Sequence, residues 1–292
     1  MKFNITILLF AVLFCSCNVQ SSLRKVERKE HFVLYDAIHF RGKPNLESEG
    51  LKPVILLYEA RLTKRDDAGR VVLDVEKVTN EAKKAAQIPE VIVSTDIEKW
   101  YGDRSFSDEE LANRFKRLFD LFKKENPKLK IGNYGMAPSS LNIYRYRYNH
   151  AGKSGDSLML ASWRKMNERR FAAMPHADIL FPCLYIPEPN IESWEKDFKT
   201  TVEEIRKHDT EKPIIVYLWP AYYDLPWSEH NRLIVDAELW RSILEIAYKY
   251  ADGAVLWASP VDKDKNRIYW DDPKVQAVWQ VTREFIKEKE LL

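Results

Sequence analysis

The chain has 292 residues, with 46 Lys+Arg against 44 Asp+Glu for a net charge of +2, and it carries 9 Trp, 14 Tyr and 13 Phe. Charges of both signs are interspersed and set up no long-range field for a phosphate backbone, which argues against a nucleic-acid binder; 45% hydrophobic and 31% charged residues fit neither a disordered chain nor a multi-span membrane protein. Three Cys, two of them within the first 17 residues, cannot supply a disulfide framework.

Lys2 precedes an apolar run at 5–14, within the range of a secretion signal and short of the about 20 residues that span a bilayer. Ser16-Cys17 sits where that run ends and is similar to a bacterial lipobox, although Phe14 is an unusual residue at its start. Residues 1–17 are therefore expected to be a lipoprotein signal peptide with Cys17 lipidated, and the polar residues 18–31 a tether. An ordinary cleaved signal with an incidental Cys is the competing reading. The lipidated reading places the protein at the bacterial cell envelope, held to the outer membrane by a lipid anchor and facing either side. Cys183, in an apolar segment, is expected to be a small buried hydrophobe.

From residue 32 onward, short apolar runs alternate with amphipathic ones. Strands are predicted at 32–37, 54–58, 91–95, 129–134, 178–185, 213–219 and 253–258, nearly continuous in apolar character as parallel strands buried on both faces are. Helices are predicted at 76–87, 108–125, 157–175, 192–208, 234–250 and 273–289. Ser107 with the acids 108–110 predicts a capped start for the second helix, and Leu111, Phe115, Leu118, Phe119 and Phe122 predict its core stripe. Seven alternations without a Gly-rich phosphate loop favour one α/β domain over 32–292, a TIM-like (β/α) barrel, above a doubly wound sheet.

In such a barrel, chemistry collects at the strand ends. The third run ends in Asp96-Ile97-Glu98-Lys99-Trp100, and on an extended strand both acids point to one face. Two carboxylates that close cannot both ionise cheaply, so one is expected to hold a proton near neutral pH. Acids on the same side of a substrate do not fit a protein nucleophile opposite a proton donor. They fit a route in which the substrate's own N-acetyl group is the nucleophile. The next four strands finish in Tyr or Trp: Tyr134, Tyr185, the run Trp219 to Tyr222 and Tyr223, and Trp257. Aromatic walls with polar tips hold sugar rings. The six His are scattered without metal-ligand spacing, and no G-x-S-x-G elbow is present, so no metal and no cofactor are expected.

These segments resemble the hyaluronidase family of substrate-assisted endoglycosidases, whose fold is a distorted barrel of about seven strands. Asp96-Ile97-Glu98-Lys99-Trp100 is similar to D-W-E-x-W-R, Asn133-Tyr134-Gly135-Met136-Ala137-Pro138 to F-Y-G-x-P, residues 180–185 to L-Y-P-S-I-Y, and residues 253–259 to G-V-V-L-W-x-S. The motifs run in family order over nearly the whole chain from 32. The resemblance implies that Glu98 is the proton donor and Asp96 orients the acetamido group. It also implies that Tyr185 and Tyr223, or Tyr222 in its place, contact that group, with Trp257 as the pocket floor and Tyr134 and Trp100 as further substrate contacts. Ile97 and Tyr101 depart from the motif, Tyr101 standing where it has Arg, and the family's disulfides cannot form. Arg145 and Arg147, with Tyr144, Tyr146 and Tyr148, are read either as a basic aromatic rim for an acidic glycan or as an exposed loop. The expected activity is retaining hydrolysis at N-acetylhexosamine residues of a glycan partner. The alternatives are a chitinase-type barrel, whose upstream acids are missing here, and a barrel that binds glycan without cutting it.

Overall fold

The computed structural model describes residues 32–291; the expected signal segment, Cys17 and tether 18–31 lie outside the described residues. The apolar runs become parallel strands: β1 (Val33–Ile38), β2 (Leu51–Tyr58), β5 (Ile92–Asp96), β6 (Lys130–Asn133), β7 (Ile215–Leu218) and β8 (Gly253–Ala258). They form one sheet in the order β6-β5-β2-β1-β8-β7. A small antiparallel hairpin, β3 (Thr63–Arg65) and β4 (Val71–Leu73), is inserted after β2.

The two open edges of this sheet, β6 and β7, meet across residues 178–185. That stretch is predicted as a full strand, yet it pairs only through isolated bridges, Tyr134 with Phe181 on one side and Leu180 with Ile214 and Cys183 with Tyr217 on the other. Pro182, in its middle, has no N–H to give to a ladder and serves only as acceptor, from the Tyr217 N–H at 2.9 Å. The segment therefore closes the sheet into a distorted (β/α) barrel with loose pairing at the closure. Gly132 makes the closure possible: a Cβ there would sit 2.1 Å from the Ile179 carbonyl oxygen and 3.0 Å from the Phe181 ring.

The helices pack around the barrel: α1 (Val75–Ala85), α2 (Lys99–Gly102), α3 (Asp108–Glu125), α4 (Leu141–His150), α5 (Asp156–Ala173), α6 (Ile191–His208), α7 (Ala237–Tyr250) and α8 (Pro273–Glu288). Ser107 caps α3 in a full capping box with Glu110, and all five residues of its aromatic and aliphatic stripe are buried. Asp74, Asn190, Asp236 and Asp272 accept from the first-turn amides of α1, α6, α7 and α8. The segment with Arg145 and Arg147 is α4, a helix and not an exposed loop. Its first turn buries Leu141, Asn142 and Ile143.

Candidate active site

Every parallel strand runs the same way, so its C-terminal end opens on one face of the barrel. Asp96 is the last residue of β5, in register with Tyr58 at the end of β2. The strand stops there: Glu98 has helical backbone angles, φ −81° and ψ −31°, and leads into α2. The extended geometry expected from D-x-E is thus replaced by a turn. The turn still brings both acids to one cavity, because Ile97 between them is fully buried and anchors the chain.

Asn133 sets that turn. Its buried carboxamide oxygen accepts from the Ile97 N–H at 3.1 Å and from the Thr95 hydroxyl at 2.8 Å. Its Nδ2 donates to the Tyr101 hydroxyl at 3.1 Å and the Tyr134 carbonyl at 2.9 Å. From behind, Phe115 of α3 stacks on Tyr101, centroids 5.4 Å apart, and meets Trp100 edge-on at 5.0 Å. The core stripe of α3 is therefore also the back of the acid-bearing turn.

Two cavities meet at Glu98, Tyr134 and Tyr223. The first, of about 210 Å³, is lined by Asp96, Tyr58, Tyr185, Tyr217, Trp219 and Trp257 and rimmed by the Asp224–Arg232 ion pair at 2.6 Å. Its aromatics form a continuous box: Tyr185 stacks on Trp257 at 5.7 Å, Trp219 meets Trp257 edge-on at 4.9 Å, and Tyr134 meets Tyr217 edge-on at 4.9 Å. Trp257 donates its indole N–H to the Tyr58 hydroxyl at 3.2 Å, and the Tyr217 hydroxyl donates to Ser94 at 2.7 Å. The second cavity, of about 200 Å³, is lined by Ser139, Ser140, Tyr144, Arg147, Arg170 and Cys183.

The carboxyl of Asp96 is pushed up to about 7 by burial first, then by the neighbouring Glu98 and Glu59. Its Oδ1 is buried and has no hydrogen-bond partner within the protein. A buried acceptor left bare is costly unless a ligand or a proton satisfies it. Burial likewise raises the phenol of Tyr223 to about 12 and those of Tyr134, Tyr185 and Tyr217 well above the usual range. These hydroxyls stay neutral donors at any physiological pH. Cys183, buried and pushed up to about 12, stays a thiol.

Of the residues expected at the site, Asp96, Glu98, Tyr134, Tyr185, Tyr223 and Trp257 come together. Trp100 does not: it is fully buried in the core, its indole N–H given to the Val71 carbonyl at 2.9 Å. Tyr222 also faces away and packs on His230, so Tyr223 is the residue in the cleft. Arg145 lines neither cavity and is held, largely buried, by ion pairs with Asp197 and Asp156, whereas Arg147 lines the second cavity. Sequence reasoning missed Tyr58, Tyr217 and Arg170. Tyr58 closes a predicted strand and the strand-end argument applies to it equally; nothing in the pattern of α5 separates Arg170 from its neighbour Arg169. Among the described residues no group of three or more His, Cys, Asp and Glu side chains gathers as a metal site needs.

No protein-family model matches the chain, and no curated protein matches it in sequence. Among solved structures it is similar to bee venom hyaluronidase, both in complex with a hyaluronic acid tetramer and in a monoclinic crystal form. Each has a TM-score of 0.53 and 14% identity over 89% of this chain and 98% of that one. A Cellulomonas fimi endo-β-1,4-mannanase double mutant matches with a TM-score of 0.50 and 9% identity over 81% of this chain and 55% of that one. The resemblance carried by the short motifs thus holds at the level of fold: the chain has the distorted (β/α) barrel of hyaluronidase-like glycoside hydrolases.

Proposed function

We propose that the protein is a glycoside hydrolase that cleaves glycans at N-acetylhexosamine residues, with retention, by assistance from the substrate's acetamido group. The observation that carries this reading is the bare, buried Oδ1 of Asp96 beside Glu98 on an aromatic floor. An acetamido N–H is the donor that oxygen lacks. Once it donates, the ionised form of Asp96 is favoured, and the proton held by the pair shifts toward Glu98. Glu98 then protonates the glycosidic oxygen as the C–O bond breaks. The acetamido oxygen closes on the anomeric carbon, and Asp96 offsets the positive charge that develops on the ring.

Tyr185 and Tyr223, kept as neutral phenols, supply hydrogen-bond donors at the wall, and Trp257 supplies the face on which the sugar ring lies. Glu98 belongs to both cavities, so the scissile bond lies over it, with the N-acetylated ring in the Asp96 cavity and the leaving group in the other.

Turnover of a panel of N-acetylated glycans by the wild type and Glu98→Gln tests the assignment. The variant is expected to lose on the order of 10²–10⁴-fold in kcat, the usual weight of general acid catalysis, with binding retained. A thiazoline mimic of the cyclised acetamido group should inhibit the wild type tightly. Unchanged turnover in Glu98→Gln overturns the reading, and a wild type that binds the glycans without turnover leaves a binding barrel in its place.

A further inference from the structure

The hyaluronidase motif carries an arginine where this chain has Tyr101. A guanidinium reaches that ring from a different element. Arg170, in the last turn of α5, lies over the Tyr101 ring with its Cζ 4.0 Å from the centroid. It donates to the Gly135 carbonyl and lines the second cavity together with Glu98. Among the described residues that is its one side-chain hydrogen bond, and no carboxylate stands within ion-pair distance. A desolvated cation without a carboxylate partner is destabilising, and a methionine or leucine would pack against Tyr101 without that cost.

The groups around Glu98 show what that charge acts on. Asp96 from β5, Tyr134 from the end of β6, Cys183 from the closing segment and Tyr223 from the loop after β7 line the two cavities with it, and Tyr101 of α2 stands buried behind them. The three phenols and the thiol are neutral, so Asp96 and the guanidiniums are the charges that matter. Glu98 is itself exposed, so water screens every charge that reaches it; Arg147 of α4 shares the cavity but is exposed too, lying over Tyr223 at 5.8 Å, and is screened on both sides. Arg170 is the less solvated of the two, and Glu98 is the carboxylate that lines its cavity.

We propose that Arg170, which lines the second cavity with Glu98, is a positioning residue for proton donation by Glu98. This rests on the functional reading above. As the glycosidic C–O bond breaks, its electron pair passes to the leaving oxygen, that oxygen takes the proton of Glu98, and Glu98 is left as a carboxylate. Arg170 stabilises that carboxylate and so strengthens the acid. The effect is largest where the leaving group needs protonation most.

The test compares an N-acetylated oligosaccharide with the same glycan carrying a 2,4-dinitrophenyl leaving group, which departs with little help. Arg170→Met is expected to lose about 30–100-fold in kcat/KM on the oligosaccharide, less than about 5-fold on the aryl glycoside, and to move the alkaline limb of the oligosaccharide profile upward. Arg170→Lys, which keeps the charge, should recover most of the loss and serves as the informative variant if Arg170→Met does not fold. Equal losses on both substrates, or an unmoved alkaline limb, overturn the proposal and leave Arg170 a packing residue. Glu98→Gln is the reference: it should fail on the oligosaccharide yet still release dinitrophenol in a first-turnover burst, since the activated leaving group needs no proton while water attack on the cyclised intermediate still needs Glu98 as base. If Glu98→Gln still cuts the oligosaccharide, the functional reading itself is overturned.

Discussion

Asp96 lies in the cleft with one oxygen bare, and Glu98 and Glu59 both oppose its charge. Its folded-state pKa of about 7 stands above the about 3.9 of an unfolded aspartate. Between those values the folded chain keeps a proton that the unfolded chain has released. Stability therefore falls as pH rises from about 4 to about 7, by up to about 4 kcal/mol on the linkage relation before solvent screening, and the penalty is complete above that range. An asparagine cannot ionise and escapes it. Asp96→Asn is thus expected to unfold at the same urea concentration as the wild type at pH 4 and to be about 1–3 kcal/mol more stable at pH 8. On the proposed mechanism it also loses on the order of 10²-fold in turnover. Urea melts at the two pH values check the sign, and an equal gain at both would mean that charge is not its source. The Asp-x-Glu spacing identified this pair but could not say which acid holds the proton. That depends on Ile97, Asn133 and Glu59, which arrange the turn and the neighbouring charge from three different elements.

The barrel is weakest at the closing segment, residues 178–185, where bridges replace a ladder. Its position against β6 depends on Gly132, because any Cβ there meets the Ile179 backbone oxygen at 2.1 Å. A carbonyl cannot rotate away as a side-chain tip can. Gly132→Ala is expected to cost about 1–3 kcal/mol, the usual range for overpacking, and to lower activity as well, since Cys183 and Tyr185 ride on the displaced segment. Denaturant melts beside turnover check both, and a fully stable, fully active variant would show that the closure tolerates a shift. Elements that announce themselves by apolar period and capping, such as α3 with Ser107 and Glu110, were legible in the sequence to the residue. Others were not, for identifiable reasons. In α4 the stretch Tyr144-Arg145-Tyr146-Arg147-Tyr148 alternates with period two, and the helix is fixed by its first turn, where Ile143 joins the main core and Leu141 is buried with Met159 and Trp163 of α5. The strands of the β3–β4 hairpin are three residues each, too short for a period, although Asp66, accepting from the amides of Ala68 and Arg70, marks the turn. The closing segment looked like a strand because it is apolar and buried; Pro182 is the residue that denies it a ladder.

At the scale of the whole molecule, strand polarity separates two faces. The acids and the aromatic box stand at the C-terminal ends of the strands, while the described chain enters at Phe32, just before β1, on the opposite face. If Cys17 carries the lipid, the 14 residues 18–31 join the membrane to the face away from the cleft and span at most about 50 Å when extended. Anchoring and catalysis are then separable. Replacing residues 1–17 with an ordinary cleaved secretion signal that leaves no cysteine should move the protein from the membrane fraction to the soluble fraction, with kcat/KM on a short N-acetylated oligosaccharide unchanged within about twofold and hydrolysis of glycan held at the cell surface reduced. Cell fractionation with the two assays in parallel checks it. Retention of the variant in the membrane fraction would refute the lipid anchor. Release with loss of activity on the short substrate would refute the separation of the two faces, because nothing near the strand ends should sense where Phe32 is tied.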